Sequence, residues 1–290
     1  MPLKHTRSFR VRQYECDVNG HVRYANYLRY MQETAFDASA TAGYDHYRYK
    51  SMSQIWLIRE TEIEFIRPLQ YGDRFKIDTW VQDFRRVSSR RRYEFYNSKT
   101  NAQAAVAHTD WAYIDTQTNR PTFIPDEIAG AFFPEGLPES FAARQPFPSP
   151  PAPPQLVFKM RLKVGWQDID LLRHVNNAVY IDYMTECIMQ LMAAFGWTWK
   201  RQTEAGFGIN ARRIRIKYSQ QALFDDELEI STWAYDMKRS TWIRYYEIRR
   251  VENDALIAQI NTQDVCRDLA TGKTTRIPPD FLESFKANIA

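Results

Sequence analysis

The sequence predicts two copies of a single α+β domain, and three observations carry that prediction. Tyr14-Glu15-Cys16-Asp17-Val18-Asn19-Gly20-His21-Val22 returns as Gln167-Asp168-Ile169-Asp170-Leu171-Leu172-Arg173-His174-Val175, displaced by 153 residues. The same displacement maps Tyr30 onto Tyr183, Asp73 onto Asp226, Trp80 onto Trp233, Arg86 onto Arg239, Tyr93 onto Tyr246 and Pro125 onto Pro278, with no insertion between them. Such register over roughly a hundred residues is the mark of an internal duplication. Within each copy, one helix-periodic segment is followed by strand-like segments, the pattern of an antiparallel sheet wrapped over a single helix.

The elements follow in the same order in both copies. A short strand (Ser8 to Tyr14; Phe158 to Val164) leads into the Asp/His loop. A helix follows near Asn26 to Thr41 and near Ala178 to Phe195. Tyr27, Tyr30, Met31, Thr34, Ala35 and Ala38 recur at helical spacing in the first. Val179, Tyr183, Met184, Cys187, Leu191 and Ala194 do so in the second. Gly43 and Gly196 stand where these helices should stop. Strands are predicted over Ile55 to Phe65, Phe75 to Phe84, Arg91 to Tyr96 and Ala104 to Ile114. Their partners in the second copy are Ile209 to Tyr218, Leu228 to Met237, Thr241 to Val251 and Leu256 to Arg267. Tyr71-Gly72-Asp73, Asn101, Phe224-Asp225-Asp226 and Asn253-Asp254 supply turns between them. One helix and one sheet leave an edge and an apolar face open, and a second copy can cover both.

Pro146-Phe147-Pro148-Ser149-Pro150-Pro151-Ala152-Pro153-Pro154 separates the copies. Proline fixes φ and removes backbone donors, so this stretch is expected to be an extended, stiff linker. The predicted organisation is a domain over 1–145, a linker over 146–155 and a domain over 156–290. With 290 residues, each copy is large enough for its own core.

A net charge of +4 does not suggest nucleic acid but suits an acidic partner. Cys16, Cys187 and Cys266 have no metal-like or disulfide-like spacing, so a reducing, cytoplasmic setting is expected. The N-terminal residues lack a signal-peptide pattern, and no apolar run approaches a membrane span. No phosphate loop, metal cluster or dinucleotide fingerprint is visible, so no metal and no cofactor are expected.

Asp168-x-Asp170-x-x-x-His174-Val175-Asn176-Asn177-x-x-Tyr180 resembles the signature of hotdog-fold thioesterases. With Tyr14-Glu-Cys-Asp-Val-Asn-Gly-His21 in the first copy, the tandem form is similar to acyl-acyl-carrier-protein thioesterases, bacterial relatives of the plant fatty-acid-releasing enzymes. The resemblance covers nearly the whole chain outside the linker. It implies a tandem (double) hotdog fold. Two antiparallel sheets each wrap one long helix and pack as a pseudo-dimer, with the acyl chain in a tunnel near the seam. It also implies release of free fatty acid and carrier thiol from a fatty acyl chain held on acyl carrier protein.

The family's active-site pattern is Asp-x-Asn-x-His with a later acid. Asp17, Asn19 and His21 match it in the first copy. The second, the working copy in the plant relatives, keeps Asp170 and His174 but has Leu172 at the Asn position. Asn176 and Asn177 are present only there, against Arg23 and Tyr24 in the first copy. The later acid falls near Leu69 and Gln221, neither of them acidic.

Thioester hydrolysis needs a carboxylate or water delivered to the carbonyl and donors for the oxyanion. Thiolate leaves readily, so one ionised Asp, Asp17 or Asp170, can serve as base or nucleophile. Asn19, His21 and His174 are its expected supports, and N–H groups opening the following helix are candidates for the oxyanion site. The bland alternatives are that each Asp is a cap or turn residue and each His a structural ring. Asn176 and Asn177 are expected to fix the loop, cap the helix and lie against substrate. Glu33 and Glu186 are expected to hydrogen-bond across the helix pair. Cys16 is a poor nucleophile, because its counterpart Ile169 marks a buried apolar position.

Trp197 and Phe207 are candidates for the end wall of an acyl pocket. Arg85-Arg86, Arg90-Arg91-Arg92 and Arg212-Arg213-Ile-Arg215-Ile-Lys217 form either a solvated sheet face or a docking surface for carrier protein, with strong salt dependence. The alternatives to acyl-carrier-protein hydrolysis are an acyl-CoA thioesterase and a non-catalytic acyl-thioester-binding module. The partner set excludes nucleic acid and membrane, and a monomer or homodimer is expected.

Overall fold

A computed structural model describes residues 1–290, which divide into two compact units, Met1–Pro146 and Phe147–Ala290. In the first unit β1 (His5–Arg10) precedes α1 (Tyr24–Thr41) and the short α2 (His46–Ser51). Then come β2 (Gln54–Phe65), β3 (Arg74–Arg85), β4 (Ser88–Asn97), β5 (Gln103–Asp115), a two-residue β6 (Arg120–Pro121) and α3 (Asp126–Phe132). The second unit repeats this with β7 (Phe158–Lys163), α4 (Val179–Ala194), α5 (Trp199–Glu204), β8 (Phe207–Tyr218), β9 (Glu227–Tyr235), β10 (Thr241–Arg250), β11 (Leu256–Asp268) and α6 (Pro279–Phe285). The first sheet runs β1-β3-β4-β5-β2 and the second β7-β9-β10-β11-β8, every pair antiparallel. This is the α+β, one-helix-per-sheet fold that the duplicated pattern predicts.

The strands read as buried-exposed alternations because one face of each sheet packs on its helix. Tyr27 and Tyr30 of α1 carry the helix onto the sheet. Tyr27 meets Phe65 edge-on at 5.0 Å, and Tyr30 meets Phe75 at 4.9 Å. The Tyr27 hydroxyl also accepts the Leu69 N–H at 3.1 Å, and Tyr180 does the same for Ala222 at 3.3 Å. Each duplicated tyrosine therefore pins the turn that follows the first long strand of its sheet.

Both helices end at a glycine in the left-handed region, Gly43 at φ +83° and Gly196 at φ +77°, where a Cβ would be strained. Arg48 and Arg201 then fold back. Their guanidinium groups donate to the Gly43 and Gly196 carbonyls at 2.9 and 3.1 Å and lie 3.9 Å from the ring centres of Tyr44 and Trp197.

Three expectations need correction. The first strand ends at Arg10 rather than Tyr14, because Gln13–Glu15 forms a single 3₁₀ turn. The Glu15 carboxylate takes the Arg12 N–H at 2.6 Å and bends the chain there. Glu33 and Glu186 bond within their own units: Arg7 donates to Glu33 at 3.4 Å, and Gln190 donates to Glu186 at 2.9 Å.

The arginine run on β4 is largely neutralised inside the first unit. Arg90 holds Asp110 through two hydrogen bonds of 2.6 and 2.8 Å, and Arg92 donates to Glu94 at 2.8 Å. Arg91 is buried, 5.4 Å from the Phe132 ring centre. Arg144, from the segment that closes the unit, donates to buried Asp83. Arg215 is likewise buried and lies 5.5 Å from the Phe147 ring centre. Tertiary packing places each of these cations beside an acid or an aromatic ring, and only the Arg92–Glu94 pair is close along the chain.

Candidate active site

Each Asp/His loop is held by the same frame. Asp17 N–H donates to the His21 carbonyl at 2.8 Å, and Asp170 N–H to the His174 carbonyl at 3.0 Å. Behind each loop lies an acid–tyrosine pair. Glu15 accepts from the Tyr30 hydroxyl at 2.5 Å and from the Arg12 N–H. Asp168 accepts from the Tyr183 hydroxyl at 2.8 Å and from the Gly165 N–H at 2.8 Å. Burial, then the bond to the acid, pushes both phenols well above their ordinary range, so they stay protonated donors. The sequence reading did not single out these pairs as supports of the loop. The signal was present, since acid and tyrosine both recur at the 153-residue displacement.

The front of the two loops differs. In the first copy, Asp17 Oδ1 accepts the backbone N–H of Asn19 and of His21, both at 2.9 Å. That is an Asx turn, and it organises the loop. Asn19 is exposed, and Arg23, at the position of Asn176, donates instead to the Tyr14 carbonyl at 3.3 Å. Asp17, Asn19 and His21 are thus close in sequence, but their side chains form no hydrogen-bonded set.

In the second copy the side chains converge. Asp170 Oδ1 accepts the Leu172 N–H at 2.8 Å, and Oδ2 accepts Asn176 Nδ2 at 3.3 Å. His174 Nδ1 lies 3.9 Å from Asp170 Oδ1 and 3.2 Å from the Val175 carbonyl oxygen. A carbonyl only accepts, so Nδ1 carries the proton of the neutral ring and Nε2 presents its lone pair. That Nε2 is buried and has no hydrogen-bond partner. The two side chains are 20% and 14% exposed, shielded but reachable.

Asn176 Oδ1 takes the Ala178 N–H at 3.0 Å and so sets the entry into α4, whose N-terminal dipole points toward the loop. Asn177 contributes its carbonyl, which accepts the Tyr218 hydroxyl at 2.8 Å. Gln221 stands near the position of the family's later acid, and its carbonyl accepts from Arg250 at 2.7 Å.

The structure places Trp197 and Phe207 in the core of the second unit with Leu191, Trp242 and Phe281. Their rings meet each other edge-on at 5.5 Å, and Trp197 Nε1 donates to Ser284. All three cysteines are free and buried; burial raises the Cys187 and Cys266 thiols to about 12 and about 11, which keeps them unreactive at neutral pH. No group of three or more His, Cys, Asp or Glu side chains could hold a metal ion. No helix is long and apolar enough to cross a membrane.

Comparison with known proteins identifies both domains. Residues 2–132 match the acyl-ACP thioesterase N-terminal domain, and residues 164–285 match the thioesterase-like superfamily. An acyl-[acyl-carrier-protein] hydrolase of Cuphea viscosissima is 24% identical over 291 residues, covering 93% of this chain and 66% of that protein. Against other curated plant relatives the chain spans only about half of their length (46% and 56%). Two solved structures share the fold. An acyl-ACP thioesterase from Bacteroides thetaiotaomicron has a TM-score of 0.69 at 17% identity, covering 90% of this chain and 97% of that one. The 12:0-ACP thioesterase from Umbellularia californica has a TM-score of 0.72 at 16% identity, covering 91% and 94%. Motif, duplicated fold and matched domains agree: residues 2–132 belong to the acyl-ACP thioesterase N-terminal domain family and residues 164–285 to the thioesterase-like superfamily.

Proposed function

We propose that the protein hydrolyses fatty acyl-acyl-carrier-protein thioesters to free fatty acid and carrier thiol, and that the second copy holds the working site. One observation carries the choice of copy. Only there do an acid, an imidazole and an amide, Asp170, His174 and Asn176, meet in front of a helix N-terminus. A carboxylate offers about four acceptor positions, and the Leu172 N–H and the Asn176 amide occupy two of those of Asp170. The remainder can take a proton from an attacking water. Asn176 fixes the rotamer of the carboxylate. Asp170 then returns that proton to the departing thiolate, His174 stands beside the carboxylate with Nδ1 3.9 Å from Oδ1, and N–H groups at the start of α4 meet the developing oxyanion. Thiolate is a good leaving group, so the absence of an acid at Gln221 does not stop the reaction. Asp17, Asn19 and His21 shape the matching loop of the first copy. The domain limits 1–145 and 156–290, joined by the proline-rich 146–155, and a reducing, cytoplasmic setting complete the reading. The three free cysteines support the last of these.

The test is thiol release from acyl-carrier-protein and acyl-CoA substrates of matched chain length, with Asp170→Asn and Asp17→Asn beside wild type. Removing the base should lower kcat for Asp170→Asn by about 10²–10⁴. Asp17→Asn keeps the acceptor oxygen of the Asx turn and should stay within about threefold. Loss confined to Asp17→Asn would move the site to the first copy. Absence of turnover with every thioester would overturn the enzymatic reading.

A further inference from the structure

The duplication supplies an internal control for surface residues. Around the Asp170 loop the second copy exposes Trp166 (74%), Leu171 (95%), Leu172, Leu223 and Phe224. The same displacement puts Gln13, Val18, Asn19, Gln70 and Tyr71 at those places in the first copy. Three polar side chains have become Trp, Leu and Leu with no gain in burial on their own unit. These residues lie on loops tied to one another. Trp166 and Phe224 meet edge-on at 5.4 Å. The Val175 N–H donates to the Ala222 carbonyl at 2.9 Å, and the Val164 N–H to the Asp226 carbonyl at 2.9 Å. The result is one apolar platform bordering the turn that begins at Asp170. Clusters of exposed Trp, Phe and Leu on a soluble surface mark contact sites.

We propose that this platform docks the protein domain that carries the acyl thioester, a deeper reading that rests on the function proposed above. Position and charge select that occupant. The platform and the Asp170 carboxylate share a single turn, so a macromolecule presenting a tethered thioester to Asp170 comes to rest beside Leu171 and Leu172. Among the charges around it, Arg161 is held by Glu229 at 3.0 Å and Lys163 by Asp225 at 2.8 Å. Arg173, exposed at the crest of the turn, has no such partner. It also keeps a left-handed backbone (φ 63°) where the first copy has Gly20. The complementary surface is an apolar face edged by a carboxylate. The arginine runs on β4 are already paired or buried, so docking depends on apolar contact and only weakly on salt.

The test compares acyl-carrier-protein with the carrier-free acyl-N-acetylcysteamine thioester of the same chain length. The variants are a triple replacement, Trp166→Ser, Leu171→Ser and Phe224→Ser, and the first-copy control Tyr14→Ser, Val18→Ser and Tyr71→Ser. The platform variant should raise KM for acyl-carrier-protein about tenfold or more, because buried aromatic anchors dominate interfaces. Turnover of the carrier-free thioester should stay within about twofold, and the control should change neither. For wild type, KM for the carrier substrate should move less than about threefold between 50 and 300 mM NaCl. Equal losses on both substrates, no loss on either, or equal effects in the control overturn the proposal. Sedimentation of wild type but not the platform variant with phosphatidylglycerol vesicles, with carrier KM unchanged, would assign the platform to a lipid surface and also overturn it. If wild type turns over no thioester, the proposed hydrolysis fails by itself. Anisotropy with carrier protein bearing a non-hydrolysable acyl amide then decides the platform: binding weakened about tenfold in the variant upholds it, and unchanged binding overturns it.

Discussion

Replacing Asp264 with asparagine should stabilise this protein at neutral pH and do nothing in acid. Asp264 lies on β11, buried, directly across from Trp242 of β10. In the first copy the equivalent cross-strand pair is Trp111 and Ser89, so the indole has moved to the neighbouring strand and a carboxyl stands in its place. Burial raises the Asp264 carboxyl from its ordinary 3.8 to about 6, against the opposing pull of Arg244, the Thr262 hydroxyl at 3.1 Å and the Trp242 indole. Desolvation therefore outweighs the buried arginine.

The sign follows from proton binding. Between about pH 4 and pH 6 the folded chain holds a proton that the unfolded chain has lost, so stability falls as pH rises through that window. Above it the cost is about 3 kcal/mol, at ~1.4 kcal/mol for each pH unit between the two values. Asparagine keeps an acceptor for Thr262 and carries no charge, and Arg244 retains the Asn288 carbonyl oxygen Oδ1 at 2.9 Å. Asp264→Asn should raise the melting midpoint by roughly 6–12 °C at pH 7 and leave it unchanged below about pH 4. Calorimetry of both proteins from pH 3.5 to 8 reads this directly. A variant less stable than wild type at pH 7 would show that the Arg244–Asp264 attraction exceeds the desolvation cost, and would refute the reasoning.

Two further outcomes follow from the frame of the structure. Tyr30→Phe and Tyr183→Phe each take a donor from a shielded acid, and each should cost about 1.5–3 kcal/mol in denaturant unfolding. If Tyr183→Phe also lowers kcat while Tyr30→Phe does not, the second loop is the working one. Arg144→Ala leaves buried Asp83 without its nearest counter-ion and should destabilise the first unit by about 3 kcal/mol. The same variant should speed proteolysis within residues 134–146, and a cleavage rate equal to wild type would show that Arg144 does not hold that segment.

The duplication, the helix-then-strands order and the position of both loops are legible in the amino-acid sequence. These are local or copied properties. A 3.6-residue period, a two-residue period and a constant displacement can be read without knowing any contact. The turn glycines Gly43 and Gly196 were legible for the same reason, since a left-handed residue is required at the end of each helix.

Which side chains meet depends on packing between distant parts of the chain. The fuller motif, Asp17-x-Asn19-x-His21, lies in the first copy, yet there Asp17 spends its hydrogen bonds on its own backbone. In the second copy Asn176, beyond the Asp-x-Asn-x-His pattern, turns back to Asp170 and assembles the set with His174. The arginines of β4 looked like one basic face, but cross-strand register delivered Asp110 to Arg90, Arg92 turns to Glu94 on its own strand, and Arg91 is buried. Trp197 and Phe207 are aromatic and follow the second helix, and nothing local distinguishes a pocket wall from a core; only the packing of Phe281 and Leu191 around them does. Hydrogen-bond partners, burial and ion pairing depend on residues distant in the chain, and that information becomes physical only when the sheets and helices close around them.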